Sequence, residues 1–156
     1  MKIAIVVYSQ TGSTRKFAEI IEKKLKSKKH ATDLFDLKVT GDVHPGAKNF
    51  KISNSPDISS YDTVLIGTPV WAFSSAPVIP AFLKNKDLKG KKVLPFVTMG
   101  FPFKVLGGTR AISVMSKAAA DNGAEVLPGS IVTKLFHNYK AMMVSEGEKI
   151  CDRLKK

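Results

Sequence analysis

Val7-Tyr8-Ser9-Gln10-Thr11-Gly12-Ser13-Thr14-Arg15 is the stretch on which the fold turns. It closes an apolar, mostly β-branched run, Ile3-Ala4-Ile5-Val6-Val7, that reads as a buried strand. Beyond it Phe17, Ile20, Ile21 and Leu25 recur as one face of a helix. A strand that stops, turns and launches a helix leaves backbone N–H groups unpaired at the turn. Those amides and the positive end of the helix dipole form a site for a phosphate-sized anion. Ser9, Thr11, Ser13 and Thr14 can add hydroxyl donors, Gln10 lies among them, and Gly12 lets the backbone come close to a ligand. A capped helix start would account for one hydroxyl. Four within six residues point to an anion site.

Outward from this turn, strands and helices alternate. Ala31 to Leu37 predicts a second strand. Residues 38–60 carry Gly41, Pro45, Gly46 and Pro56 without helical periodicity, and read as a long connection with at most a degenerate helix. Tyr61 to Gly67 predicts a third strand, Thr68 to Ser75 a loop, and Pro77 the first turn of a helix buried through Val78, Ile79, Phe82 and Leu83. Val93 to Met99 predicts a fourth strand, followed by a Gly-rich connection to Gly108. Thr109 is placed to cap a helix running to about Asn122, with Gly123 as its stop. Ala124 to Val132 predicts a fifth strand. His137 to Lys156 predicts a closing helix, with Met142, Met143, Ile150 and Leu154 inward and an interruption at Gly147.

Such alternation means right-handed βαβ units: one α/β domain over 1–156, a three-layer, doubly wound, five-stranded parallel sheet in the order 2-1-3-4-5. Its ligand crevice lies at the carboxyl ends of the first and third strands. The unusual loops, 9–14, 68–75 and 99–108, fall at that edge. Pro95 and Pro128 are discordant inside strands. An edge position accommodates Pro128, whereas Pro95 asks for a bulge or a displaced boundary.

With 156 residues and 44% hydrophobic content the chain can bury a substantial core, and no apolar run approaches the ~18 residues of a membrane span. One cysteine, Cys151, permits no internal disulfide and suits a cytoplasmic protein. His30, His44 and His137 show no metal-ligand spacing. The net charge of +12 fits an acidic protein partner, an anionic substrate or nucleic acid. No RNP or zinc-finger signature is present and no aromatics interleave the lysine runs, so solvated helix faces account for most of the charge. There is no G-x-x-x-x-G-K-[ST], no G-x-G-x-x-G and no G-x-S-x-G. Tyr8-Ser9-Gln10 lacks the acidic cluster of a receiver domain, and the first loop lacks the Cys-x5-Arg of a low-molecular-weight phosphatase.

Ser9-x-Thr11-Gly12-x-Thr14 after an N-terminal strand resembles the phosphate loop of the flavodoxins. Gly67-Thr68-Pro69-Val70-Trp71 resembles the loop in which that family sets an aromatic ring against the isoalloxazine, and Thr98-Met99-Gly100-Phe101-Pro102-Phe103 resembles its other flavin loop. The resemblance implies a flavodoxin-like fold and a noncovalently bound FMN. Its phosphate would lie at Ser9, Gln10, Thr11, Gly12, Ser13 and Thr14, and its ring between Pro69, Val70, Trp71, Ala72 and Phe73 on one side and Thr98, Met99, Gly100 and Phe101 on the other. Trp71 and Phe73 could equally be core aromatics, and Phe101 or Phe103 stands where a tyrosine wall is common. Gly107 and Gly108 would let amides approach the ring, or merely turn the chain. Ala72 and Phe73 depart from the family's frequent glycine, since alanine strains at left-handed angles. The basic charge departs from the acidic habit of flavodoxins. No catalytic side chain and no metal site is assigned.

Three functions follow as expectations. The chain is an electron carrier docking an acidic redox partner, or an FMN-dependent oxidoreductase taking hydride from NAD(P)H for a quinone or similar small acceptor, or, in a different class, a basic nucleic-acid-binding module. None requires membrane insertion.

Overall fold

The computed structural model of the chain describes residues 1–100, 103, 107–134 and 138–155. Phe101, Pro102, residues 104–106, residues 135–137 and Lys156 lie outside these. In chain order the elements are β1 (Lys2–Val7), α1 (Ser13–Ser27), β2 (Ala31–Asp36), β3 (Val39–Gly41), β4 (Phe50–Ile52), β5 (Thr63–Trp71), β6 (Ser74–Ser75), α2 (Val78–Leu83), β7 (Lys92–Met99), α3 (Gly108–Asp121), β8 (Glu125–Val126), β9 (Ser130–Thr133) and α4 (Tyr139–Leu154). The central sheet runs β2-β1-β5-β7 and ends in β8 and β9, which take turns beside β7; all these pairings are parallel. This is the doubly wound order expected from the strand–helix alternation.

The alternation of side chains along β1 builds the layers. Ile3, Ile5 and Val7 point to one face and pack with Phe17, Ile21 and Leu25 of α1 and with Met143, Ile150 and Leu154 of α4. Ala4 and Val6 point to the other, against Val78, Ile79 and Phe82 of α2 and Ala111, Met115 and Ala119 of α3. A strand buried on both faces is apolar throughout, which is why Ile3 to Val7 shows no polar alternation. Each fully buried Ile, Leu or Phe contributes roughly 1.5–3 kcal/mol relative to exposure. Among the described residues no helix is long and apolar enough to cross a membrane.

Five expectations need correction. Residues 38–60 are not a plain connection: β3 and β4 pair antiparallel, Val39 with Ile52 through Gly41 with Phe50, as a separate hairpin. The third strand does not stop at Gly67 but runs to Trp71, and Ser74-Ser75 folds back on it. Pro69 fits there because Gly67 gives its carbonyl to the Tyr8 N–H. Two residues on, Pro69 faces the same flank, past the end of β1, where no parallel strand needs its missing donor. Thr109 does not cap α3. Gly107 does, at φ 112°, with Thr109 inside the helix. Gly147 does not interrupt α4 but is buried within it, where a Cβ would meet Lys24 Cδ at 3.3 Å and Ile20 Cγ2 at 3.5 Å. The absent side chain brings α4 close to α1.

The fifth correction concerns the prolines. The predicted strand 124–132 is broken at Leu127-Pro128-Gly129 into β8 and β9. Val93 accepts the Leu127 N–H, so Val93, Pro95 and Val97 turn their backbone groups toward this strand. Pro95 therefore lacks its N–H opposite the break, between the Val93–Val126 and Phe96–Ser130 pairs. The two discordant prolines are one feature.

Helices α1 and α4 are also joined by charge. Lys28 and Lys24 donate to Glu148 at 2.7 and 3.0 Å. The Lys28 and Lys24 hydrogen bonds lower the Glu148 carboxyl from 4.5 to about 2. A depressed carboxylate contributes stability above its unfolded value and loses it as pH falls through the folded one. Glu148→Gln is therefore expected to be less stable than the parent at pH 7, with the gap closing between pH 4.5 and about 2 in urea unfolding. A gap constant across that range would remove the linkage.

Candidate functional site

The first polar turn, the Trp71 hairpin and the end of β7 meet at the carboxyl edge of the sheet. Gly12 sits at φ 93° as the N-cap of α1 and has no side chain to satisfy the amides of Ser13, Thr14 and Arg15 that follow. Lys16 supplies the first intrahelical bond, to the Gly12 carbonyl at 2.9 Å. No acidic residue occupies the first turn. The Gly12 N–H donates to Ser9 Oγ at 3.1 Å, which closes the turn from within. Gln10 and Thr11 are exposed, Ser9 and Ser13 half-buried. The turn thus presents bare amides, hydroxyls and a positive dipole end with nothing negative beside them.

Thr14 is different from its neighbours. It is buried, and its hydroxyl lies 2.8 Å from that of Thr98 at the end of β7. This bond ties the first turn to the third loop across the sheet. The phenol of Tyr139, at the start of α4, joins the same cluster through hydrogen bonds with Ser13 and Thr98. Burial raises the Tyr139 phenol, only partly offset by those two bonds, and burial likewise raises Tyr8. Both phenols stay neutral beside the turn.

Trp71 ends β5 and packs edge-on against Tyr8, ring centroids 5.7 Å apart. Its half-buried ring borders a cleft of about 420 Å³ shared with Gln10, with Val43, His44 and Pro45 of the β3–β4 turn, and with Val70 and Ala72. The Trp71 segment and the first turn are thus neighbours, as the crevice of this winding requires. The hairpin turn at 43–45 was missed in the sequence because its flanking strands are only three residues each. Tyr139 was missed because helix α4 starts not at His137 but after Asn138, whose side chain accepts from the Ala141 N–H at 3.1 Å. An Asn before a helical stripe was the available signal.

Between β5 and β6 the chain turns on two residues, Ala72 at φ 46° and Phe73 at φ 63°. A two-residue turn with both centres left-handed is one that Asn-Gly adopts without cost. Alanine and phenylalanine there are strained, and such strain collects at functional sites. Phe73 is 56% exposed, so the ring gains little burial in return. The double substitution Ala72→Asn with Phe73→Gly is expected to stabilise the chain by about 1–2 kcal/mol and raise Tm by roughly 3–6 °C. An unchanged or lower Tm would show that no strain is stored in this turn.

The remaining predicted site residues divide. Pro69 and Val70 are half-buried in β5, Thr98 and Met99 are buried at the end of β7, and Gly100 is exposed with open space around it. Phe103 is 63% exposed, and Phe101 lies outside the described residues. Gly107 packs against the Phe73 backbone, where a Cβ would come within 2.5 Å of its Cα. Gly108 packs on Met99 and Ile131.

Residues 45–105 match the family model described as Flavodoxin. No curated protein matches the chain. Among solved structures, oxidised flavodoxin 1 of Bacillus cereus superposes with a TM-score of 0.73 at 18% identity, over 99% of this chain and 98% of that one. The Streptococcus pneumonia TIGR4 flavodoxin gives 0.74 at 17% identity, over 99% and 98%. A flavoprotein of Lactobacillus acidophilus NCFM, solved in complex with FMN, gives 0.64 at 25% identity, over 83% and 92%. A flavodoxin family model thus matches the stretch that carries the Trp71 hairpin, and the fold of the chain is flavodoxin-like from end to end.

Proposed function

We propose that the protein binds FMN without a covalent bond and works in the cytoplasm as an electron carrier. The observation that carries this reading is the adjacency of an uncapped, acid-free helix start at Ser9 to Thr14 and the aromatic cleft at Trp71. The donor set suits a phosphate monoester: bare amides, exposed hydroxyls, and neutral phenols in place of carboxylates. Ser9 to Thr14 would hold the phosphate. Trp71, backed by Tyr8, would give the ring a flat apolar wall, worth roughly 1 kcal/mol beyond burial, with the end of β7 at Thr98 and Met99 bounding the site. Gln10 and the 43–45 turn would exclude water from that cleft. When bound, the flavin supplies the one- or two-electron chemistry.

On the protein's side, the residues hold, orient and shield. Among the described residues lining the Trp71 cleft, His44 is the titratable one, and its Nδ1 lies 2.8 Å from the Pro45 carbonyl oxygen. The basic surface supports an acidic redox partner. Purified protein is expected to be yellow or to quench added FMN fluorescence on binding. A colourless chain with no FMN affinity would end this reading. Anaerobic addition of NADH or NADPH is expected to leave the flavin of a carrier oxidised, whereas rapid bleaching would identify a reductase.

A further inference from the structure

A second and larger groove, about 860 Å³, begins at the first turn and runs over the outer helical layer, away from the Trp71 cleft. Lys16, Ile20 and Lys23 of α1 form one wall; Lys134 and, on α4, Lys140 and Met143 form the other. Lys16 and Lys23 are seven residues apart, so they share a face with about 10 Å of rise between them. All four lysines are exposed.

Their lack of carboxylate partners sets them apart; Lys134 Nζ lies 5.8 Å from the centre of the Tyr139 ring, which leaves its charge open to an anion. Elsewhere on these helices the charges are matched: Lys24 and Lys28 with Glu148, Lys26 with Glu22, Lys149 with Glu146, Lys155 with Asp152. Among the described residues, which include all 13 Asp and Glu, no ion pair reaches Lys16, Lys23, Lys134 or Lys140. Glu19 also borders the groove, but its carboxylate is held by Arg15 Nε at 2.9 Å. A groove with an apolar floor and cations without carboxylate partners along both rims is complementary to a segment with carboxylates on its flanks and an apolar ridge between them.

Resting on the carrier reading above, we infer that this groove seats an acidic amphipathic segment of the redox partner. Carboxylates meet the lysine rims, and an apolar side chain settles on Ile20 and Met143. Ammonium groups spread along two walls suit charges distributed along a chain, whereas a single phosphate is met by converging amides such as those of the first turn. The seat adjoins the first turn, so a partner held there lies at the carboxyl edge of the sheet.

The test uses the full chain, isotope-labelled for NMR, and a synthetic amphipathic peptide with glutamates on one face and leucines on the other. Amide shifts are expected to move at residues 11–23 and 138–143. Lys23→Glu with Lys140→Glu is expected to weaken peptide binding by at least about tenfold, and Lys84→Glu with Lys89→Glu, the same change of charge elsewhere, by less than about twofold. Equal losses in the two double variants, or shifts scattered over the surface, would overturn the inference. So would ADP moving the same amides and displacing the peptide, which would make the groove a nucleotide site. FMN quenching is read separately. FMN binding without peptide in the groove sinks only the docking site, and peptide in the groove without FMN binding upholds the acidic preference while removing the carrier reading.

Discussion

Gly107→Ala is expected to destabilise the chain by about 3–4 kcal/mol and lower Tm by roughly 10 °C. Two costs add. The residue sits at φ 112°, where an L side chain is strained. Its new Cβ would also lie 2.5 Å from Phe73 Cα, 2.7 Å from Phe73 C and 2.7 Å from Val70 Cγ1. Two of those atoms are backbone and cannot rotate away, so either the Ala72-Phe73 turn or the start of α3 must shift. Because that turn adjoins Trp71, FMN affinity is expected to fall with stability. Gly46→Ala is the comparison: φ 76° imposes a similar backbone strain, but nothing lies within 4 Å of the added Cβ. Equal Tm losses in the two variants would show that backbone angle alone matters and that the loop-to-loop contact contributes nothing.

The same pair of loops shows what the sequence could and could not yield. The strand order was legible because each buried strand is apolar and each helix carries one apolar face, so the winding follows from local periodicity. The first turn was legible as a candidate anion site because a strand-to-helix junction always leaves backbone amides bare. Contacts across sequence were not legible. Nothing local in Gly107 tells that it packs on Phe73, or in Thr14 that its hydroxyl meets Thr98 at a separation of 84 residues. The β3–β4 hairpin was hidden for another reason: three-residue strands are too short to display a period, and Gly41, Pro45 and Gly46 mark a turn and a loop alike. Pro95 and Pro128 looked like separate exceptions because the link between them, the Val93 carbonyl accepting Leu127 N–H, exists only once β7 and the broken strand lie side by side.

Thr11→Asp is expected to weaken FMN binding by about a hundredfold or more, with little change in stability. Thr11 is exposed, lies just before the Gly12 cap and donates to or accepts from no protein group among the described residues, so the fold has little to lose there. A carboxylate about 5 Å from a phosphate, at an effective dielectric near 20, costs roughly 3 kcal/mol per phosphate charge, which already exceeds two powers of ten. Thr11→Ala removes only a hydroxyl donor to an anion, worth about 1.5–3 kcal/mol, and is expected to cost roughly ten- to a hundredfold. Hence the order parent, Ala, Asp in fluorescence-quenching titrations distinguishes the electrostatic part of the site from the hydrogen bond. Riboflavin completes the test: it carries no phosphate, so its weaker binding should be nearly indifferent to Asp at this position. FMN affinity preserved within about twofold in Thr11→Asp would mean that no phosphate lies at the first turn, and the Trp71 cleft would then have to bind its ligand without that anchor.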